Sequence, residues 1–145
     1  MIIHTIGFTR KSAEAFFSSL HAAGVRRVVD TRLYNTSQLS GFAKQDDLRY
    51  FLDRIGSIGY RYEPLLAPTP DILDSYKKRA ISWGKYEESY LALMQSRQIE
   101  SRLSREDLGD ACLLCSEADP HHCHRRLAAE YLSARWGGIK IDHIR

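Results

Sequence analysis

The chain has 145 residues, of which 43% are hydrophobic and 27% are charged. This length suits one domain, and this composition is typical of a folded globular protein, which excludes the disordered and fibrous classes. The net charge is only +3, too small to mark the chain as a nucleic-acid binder. We therefore expect a single domain over residues 1–145.

The three cysteines, Cys112, Cys115 and Cys123, lie close together in the chain. Their odd number, with no apolar leader segment and no long apolar run, predicts a cytoplasmic protein with reduced thiols and no membrane association. Cys112 lies inside an apolar run and is interpreted as a packing residue. The other two thiols are candidates for a structural, metal-binding or reactive role.

Apolar runs and helical spacing alternate along the chain, bounded by Gly, Pro and capping residues. In chain order the predicted elements are strand 2–6, a helix between Ser12 and Gly24, strand 25–29, helix 47–55, strand 58–62, one or two helices within 71–94, strand 111–115, a helix from Pro120 to Trp136, and strand 139–144. Two irregular stretches, 35–41 and 64–70, are predicted to be loops.

This alternation predicts an α/β fold of three layers, in which helices flank a mainly parallel, Rossmann-like β-sheet. The last helix is expected to begin with Asp119 as its N-cap and Pro120 as its first residue, because these types favour those positions. Cys123 would then lie near the positive end of the helix.

Polar and reactive residues follow three of the predicted strands. In open parallel sheets, ligands bind at the carboxyl ends of the strands. The candidate site residues there are Thr5, Gly7, Thr9 and Arg10 after the first strand, Asp30 and Arg32 after the second, and Cys115 and Glu117 after the central one.

The segment 115–126 is the densest in chemistry, because it combines two thiols with histidines and arginines. A helix start and nearby Arg125 would stabilise a thiolate at Cys123, and the same features would hold a phosphate or carboxylate. Cys123 also lies one turn from Leu127, so the alternative is that it belongs to the buried stripe of the helix.

The leading hypothesis is an enzyme, a thiol-dependent hydrolase or transferase, that acts on an anionic small molecule. Cys115 or Cys123 would be the nucleophile, His124 a general acid or base, and Glu117 the residue that orients His124 or an arginine. Arg32 and Arg125, with Arg10, would bind the anion, and Asp30 would fix Arg32. The alternative for Asp30 is a buried ion pair with Arg32 or Arg125 that organises the core.

A second hypothesis is a non-catalytic module that binds a nucleotide, a nucleic acid or a metal. Four aromatic residues would supply stacking, namely Tyr34, Phe42, Trp83 and Tyr86. Zinc or another transition metal would be held by Cys115, Cys123 and His124, although the spacing is not a zinc signature. No other cofactor is expected, and the sequence leaves a homodimer open.

The motifs, taken together, resemble the bacterial and archaeal family catalogued as domain of unknown function 488. The resemblance covers nearly the whole chain, and its most specific part is the pattern Cys115-x-Glu117-x-x-Pro120-x-x-Cys123-His124-Arg125. Phe8 stands where the family typically has His or Tyr. The resemblance implies the fold and the position of the pocket but no particular reaction.

Overall fold

A parallel β-sheet forms the centre of the protein. The computed structural model describes residues 1–36, 41–117 and 119–145. Within them the strands are β1 (Ile2–Gly7), β2 (Arg27–Asp30), β3 (Gly59–Tyr62), β4 (Ala111–Cys115) and β5 (Lys140–His143). Their order is β3-β2-β4-β1-β5, and every neighbouring pair is parallel. The predicted α/β fold with a parallel sheet is confirmed.

Helices connect the strands on both faces of the sheet. In the described part of the chain they are α1 (Ala13–Ala22), α2 (Gln45–Gly56), α3 (Pro70–Lys77), α4 (Trp83–Arg97), α5 (Ile99–Arg102), α6 (Arg105–Leu108) and α7 (His124–Trp136). The hydroxyl of Ser12 accepts the N–H of Ala15, 3.1 Å away, which confirms the predicted cap of the first helix. The short helices α5 and α6 were not predicted.

The two predicted loops have different outcomes. Residues 64–70 are not a plain loop, because Pro64–Leu66 forms a 3-10 turn and Pro70 begins α3. Proline suits both positions, since its fixed φ matches a helix start and its missing N–H is not needed there. Of the other predicted loop, residues 37–40 lie outside the described residues, and Gly41–Ala43 forms a second 3-10 turn.

The alternation of side chains along the strands separates two hydrophobic cores. On β4, Ala111 and Leu113 pack in the layer that contains α4 and α7, whereas Cys112 and Leu114 pack against α1 and α2. Successive residues of a strand point to opposite faces, so their position in the chain decides their layer. Cys112 is fully buried, as predicted, and burial raises the pKa of its thiol.

The predicted start of the last helix is wrong. The helix begins at His124, with Cys123 as an extended N-cap residue, and not at Pro120. The carboxylate of Asp119 accepts the N–H of His121 at 2.8 Å, which closes a local turn instead of capping a helix. An Asx turn and an N-cap use the same side-chain chemistry, so the sequence signal does not distinguish them.

The parallel register brings the carboxyl ends of the strands to one edge of the sheet. Gly7 at the end of β1 is opposite Cys115 at the end of β4, and Asp30 at the end of β2 is opposite Leu114. The first turn of α7 follows the loop after β4 and lies at the same edge. The candidate residues therefore gather there.

Candidate functional site

Two cysteines meet at the carboxyl edge of the sheet. Cys115 ends β4 and Cys123 precedes α7, and a disulfide joins their sulfur atoms. The prediction that all cysteines are reduced thiols is therefore wrong for this pair, while Cys112 is free. The physical reason is that the segment between β4 and α7 turns back on itself and places its two ends side by side.

Arg125 lies behind this pair and is fully buried. Its Nη1 donates to the sulfur of Cys115, 3.1 Å away, and to the backbone carbonyl of Glu117. Burial lowers the pKa of Arg125 to about 10, so the guanidinium keeps its charge at neutral pH. The arginine therefore places a positive charge directly against the Cys115 sulfur.

Gly7 makes this close approach sterically feasible. A side-chain methyl group there would overlap the carbonyl oxygen of Glu117 and would come within 2.9 Å of Nη1 of Arg125. The neighbouring segment is also fixed, because the N–H of Thr9 donates to the carbonyl of Ser116 at 3.0 Å. The end of β1 thus holds the loop that follows β4.

His124 is buried beside the pair and faces the end of β2. Its Nε2 lies 2.9 Å from the carbonyl oxygen of Thr31, so Nε2 carries the hydrogen and donates it. The hydroxyl of Thr31 donates in turn to the carbonyl of Leu114 at 2.8 Å. Burial lowers the pKa of His124 to about 4, a shift that the charge of Arg125 reinforces. At neutral pH the ring is uncharged, so Nδ1 is the nitrogen that can accept a proton.

Asp30 and Arg32 form a separate cluster. Oδ1 of Asp30 accepts Nε of Arg32 at 2.8 Å and Oδ2 accepts Nη2 at 2.9 Å, with both side chains buried. The hydroxyl of Tyr60 also donates to Asp30. The guanidinium lies over the ring of Phe8, a residue of the core formed with α1 and α2. Asp30 and Arg32 therefore form a buried ion pair, which the sequence left open as the alternative to an anion-binding role.

A cavity of about 370 Å³ opens beside the cysteine pair. One end is lined by the end of β4, the segment after it and the start of α7, through Cys115, Glu117, Cys123 and His124. The other end is lined by α3, α4 and the residue Tyr34. The volume lies in the range of small-molecule sites, which are typically apolar with a few polar groups.

The predicted site residues divide between the cavity and its surroundings. Four of them line the cavity, namely Cys115, Glu117, Cys123 and His124. The buried residues Thr5, Gly7, Asp30, Arg32 and Arg125 lie outside its lining, and Thr9 and Arg10 are exposed. The hydroxyl of Thr5 is 2.6 Å from Nδ1 of His143.

A metal-binding arrangement is absent from the part of the chain that the structure describes. No three His, Cys, Asp or Glu side chains in residues 1–36, 41–117 and 119–145 are grouped so that they could hold an ion. In the alternative ligand set, the sulfurs of Cys115 and Cys123 are bonded to each other. These residues therefore do not fit a metal in the disulfide form.

The aromatic end of the cavity was only partly predicted. Tyr34, Trp83 and Tyr86 line it, as does Tyr76, which was not singled out. Rings lie in succession from the core to the surface, with adjacent planes within 23° of parallel, in the order Tyr90, Tyr86, Trp83, His122 and His121. In the sequence, the helical spacing of residues 83, 86 and 90 was the signal for this group of rings. The same spacing is equally typical of a helix face that is buried in the core.

The fold and the site define a parallel α/β protein with a cysteine–arginine cluster and an adjoining cavity at the carboxyl edge of its sheet. The family model described as domain of unknown function DUF488 matches residues 12–132. The match covers most of the chain, and the protein belongs to this family. A search of curated proteins and a search of solved structures each find no match.

Among the described residues, none of the helices combines the length and apolar character that a membrane span requires.

Proposed function

We propose that the protein is a thiol-dependent enzyme that acts on an anionic substrate, with the reduced Cys115 as its nucleophile. The observation that carries this proposal is the 3.1 Å contact between the buried guanidinium of Arg125 and the sulfur of Cys115, at the lining of a cavity. A thiol or disulfide sulfur is a weak acceptor, whereas a thiolate is a strong one. The contact therefore suits the ionised form of Cys115.

The surroundings also favour ionisation. A nearby arginine lowers the pKa of a thiol, as does the start of a helix. Cys123 lies at the start of α7 as its N-cap residue, and its side chain makes no capping hydrogen bond there. Cys115 is preferred as nucleophile because the arginine contacts its sulfur, and Cys123 is then the partner that closes the disulfide. The disulfide form is the oxidised, inactive state, which an external thiol reduces.

The reaction would proceed by covalent catalysis. The Cys115 thiolate forms a bond to an electrophilic carbon or phosphorus atom, and the leaving group departs with the electron pair of the broken bond. Water or a second acceptor then attacks the same atom, loses its proton to a base, and releases Cys115 as thiolate. His124 is uncharged at neutral pH and lines the cavity, so it is the candidate base.

An anionic substrate is supported by the charges near the site. Lys77 lines the cavity. The pKa values of Lys11 and His143 are lowered, first by burial and then by the nearby positive charge of Arg125. Glu117 also lines the cavity. Its negative charge repels an anion, so it would restrict where the anion can bind within the cavity.

Alkylation of the reduced protein tests the nucleophile. The rate of iodoacetamide labelling at each cysteine is measured by mass spectrometry between pH 5 and 10. We expect Cys115 to react with a midpoint well below the ordinary thiol value of about 8.5, and Arg125→Met to raise that midpoint and slow labelling at pH 7 about tenfold. An ordinary midpoint that Arg125→Met leaves unchanged would contradict the proposal.

Turnover is tested with two chromogenic probes, p-nitrophenyl acetate and p-nitrophenyl phosphate, on protein reduced with dithiothreitol. We expect release of nitrophenol from at least one probe, loss of that release in Cys115→Ser, and its retention in the matched control Cys112→Ser. Equal rates in Cys115→Ser and the unmodified protein, with both folded by circular dichroism, would reject the enzymatic role.

A further inference from the structure

We infer that the aromatic half of the cavity binds a planar nitrogen heterocycle, so that the ligand of this site is a small anionic ring compound of the mononucleotide type. This inference rests on the proposed function for the position of the reacting group. It adds the chemical class of the rest of the ligand, which the cysteine–arginine cluster alone does not define.

The lining has an unusual share of rings. Of the twelve described residues that line the cavity, six carry an aromatic or imidazole ring: Tyr34, Tyr76, Trp83, Tyr86, His122 and His124. Buried aromatic residues commonly fill a core, yet these border an open volume of about 370 Å³. Ring faces and edges that border a void offer stacking and edge contacts to a flat guest.

The rings are also held in fixed positions. Trp83 stacks on Tyr86 with a centroid distance of 5.1 Å, and Tyr76 contacts both, at 5.6 and 5.0 Å. Tyr86 is fully buried, while Tyr76 and Trp83 are half-buried. His122 covers the other face of Trp83 at 4.8 Å, so a guest would meet the edge of Trp83 and the ring of Tyr76, which are held in place before binding at little entropic cost.

The polar groups of the cavity suit the remaining parts of such a ligand. Glu117 can accept an N–H of the heterocycle. Lys77 can bind an anionic group at the mouth of the cavity, where its ammonium lies 5.8 Å from the ring centroid of Tyr34. The cavity is concave and small, which favours a free mononucleotide over a nucleic-acid strand, since a strand needs an extended basic groove.

Trp83 provides a direct signal for binding. The chain has two tryptophans, and the other, Trp136, ends α7 at the opposite edge of the sheet, where its Nε1 donates to the carbonyl of Glu100 at 3.0 Å. In a Trp136→Phe background the fluorescence therefore reports Trp83 alone. AMP and UMP are the probes, and adenosine, ribose 5-phosphate and inorganic phosphate are the comparison ligands.

We expect at least one of the two mononucleotides to quench the fluorescence with saturation, and to bind more tightly than ribose 5-phosphate or phosphate. Tyr76→Leu should weaken this binding at least about fivefold. The matched control Tyr50→Leu, an exposed tyrosine on α2, should leave it within about twofold. Lys77→Gln should weaken AMP more than adenosine, and this exposed position keeps the test valid if Tyr76→Leu does not fold.

Two outcomes would overturn the inference: no saturable quenching by either mononucleotide, or equal binding of ribose 5-phosphate and the mononucleotides. Nitrophenol release, measured on the same reduced preparation, separates this result from the proposed function, because the fluorescence of Trp83 reports binding alone and nitrophenol release reports thiol turnover alone. Turnover without ring binding rejects only this inference, whereas ring binding without turnover rejects only the enzymatic role.

Discussion

Two arginines are buried at the same edge of the sheet, and their surroundings differ in kind. The guanidinium of Arg32 makes two hydrogen bonds to the carboxylate of Asp30, whereas that of Arg125 donates to the sulfur of Cys115 and the backbone carbonyl of Glu117. The first arginine has its charge neutralised by its neighbour in the structure. The second directs its charge at a group that becomes an anion only when it is reduced and ionised. The residue type is the same, but of these two arginines it is the second that contacts the sulfur on which the proposed function rests.

The largest expected effect comes from the same substitution at both sites. Arg32→Met leaves the Asp30 carboxylate buried without its partner, and we expect it to lower the free energy of unfolding by about 3–5 kcal/mol. Arg125→Met removes hydrogen bonds to a sulfur and a carbonyl, and a loss of about 1–3 kcal/mol is expected. Urea denaturation of the oxidised protein measures both values. Equal losses would show that Arg125, too, is primarily part of an ion pair.

The second prediction concerns stability in acid and depends on the protonation of His124, the neighbour of Arg125. The unfolded chain protonates His124 near its ordinary pKa of 6.5, whereas the folded protein resists protonation down to about 4. The unfolded state therefore binds more protons in this window, and stability should fall as the pH drops from about 6.5 to 4, by up to about 3 kcal/mol. Below pH 4 this contribution should change no further.

Urea denaturation at a series of pH values measures this decline. His124→Gln is the control, because it keeps a side-chain N–H donor for the Thr31 carbonyl but does not titrate. The difference between the two proteins isolates His124 from the carboxylates that protonate in the same range. Parallel curves for the two proteins between pH 6.5 and 4 would disprove the depressed pKa.

The third prediction tests how tightly the loop after β4 is held against β1. In Gly7→Ala the added methyl group overlaps the carbonyl of Glu117, so the loop must shift, at a cost of about 1–3 kcal/mol. Gly41→Ala is the matched control, because no atom of the described residues lies within 4 Å of its added methyl group, and a change within about 0.5 kcal/mol is expected. Thermal denaturation of both variants decides between close packing and a loop that yields freely.

The smallest effect is expected at a third arginine, next to the second in sequence. Arg126 pairs with Glu130 at 2.8 Å on the exposed side of α7. Water screens this pair, so Glu130→Ala should change the free energy of unfolding by no more than about 0.5 kcal/mol. If urea denaturation shows a loss of more than about 1 kcal/mol in the free energy of unfolding, burial does not explain the different contributions of the three arginines to stability.

The sequence was sufficient for the features that depend on local chemistry. Short β-branched and apolar runs marked the strands, and Ser12 marked the first helix, because strand preference and capping act over a few residues. Cys115 and Cys123 bracketed the candidate site for the same reason: a strand end and a helix start are local signals. These signals placed the edge of the sheet and the segment that lines the cavity.

Features that depend on packing could not be predicted in this way. The pairing of Cys115 with Cys123 depends on how the loop folds back, and the turn made by Asp119 imitates a helix cap. The separation of Asp30 from Cys115 depends on which face of the sheet each residue meets. The aromatic end of the cavity exists only because α3 packs on α4, which no local pattern along the chain records.

The ion pair of Asp30 and Arg32 has a further consequence for the order of folding. Its two members are separated by one residue, so closing the pair requires almost no loop entropy. The opposite charges can therefore meet before β2 enters the sheet between β3 and β4. If the pair closes first, the strand end is buried as a neutral unit, and the assembly of the sheet avoids a step in which a bare carboxylate leaves water.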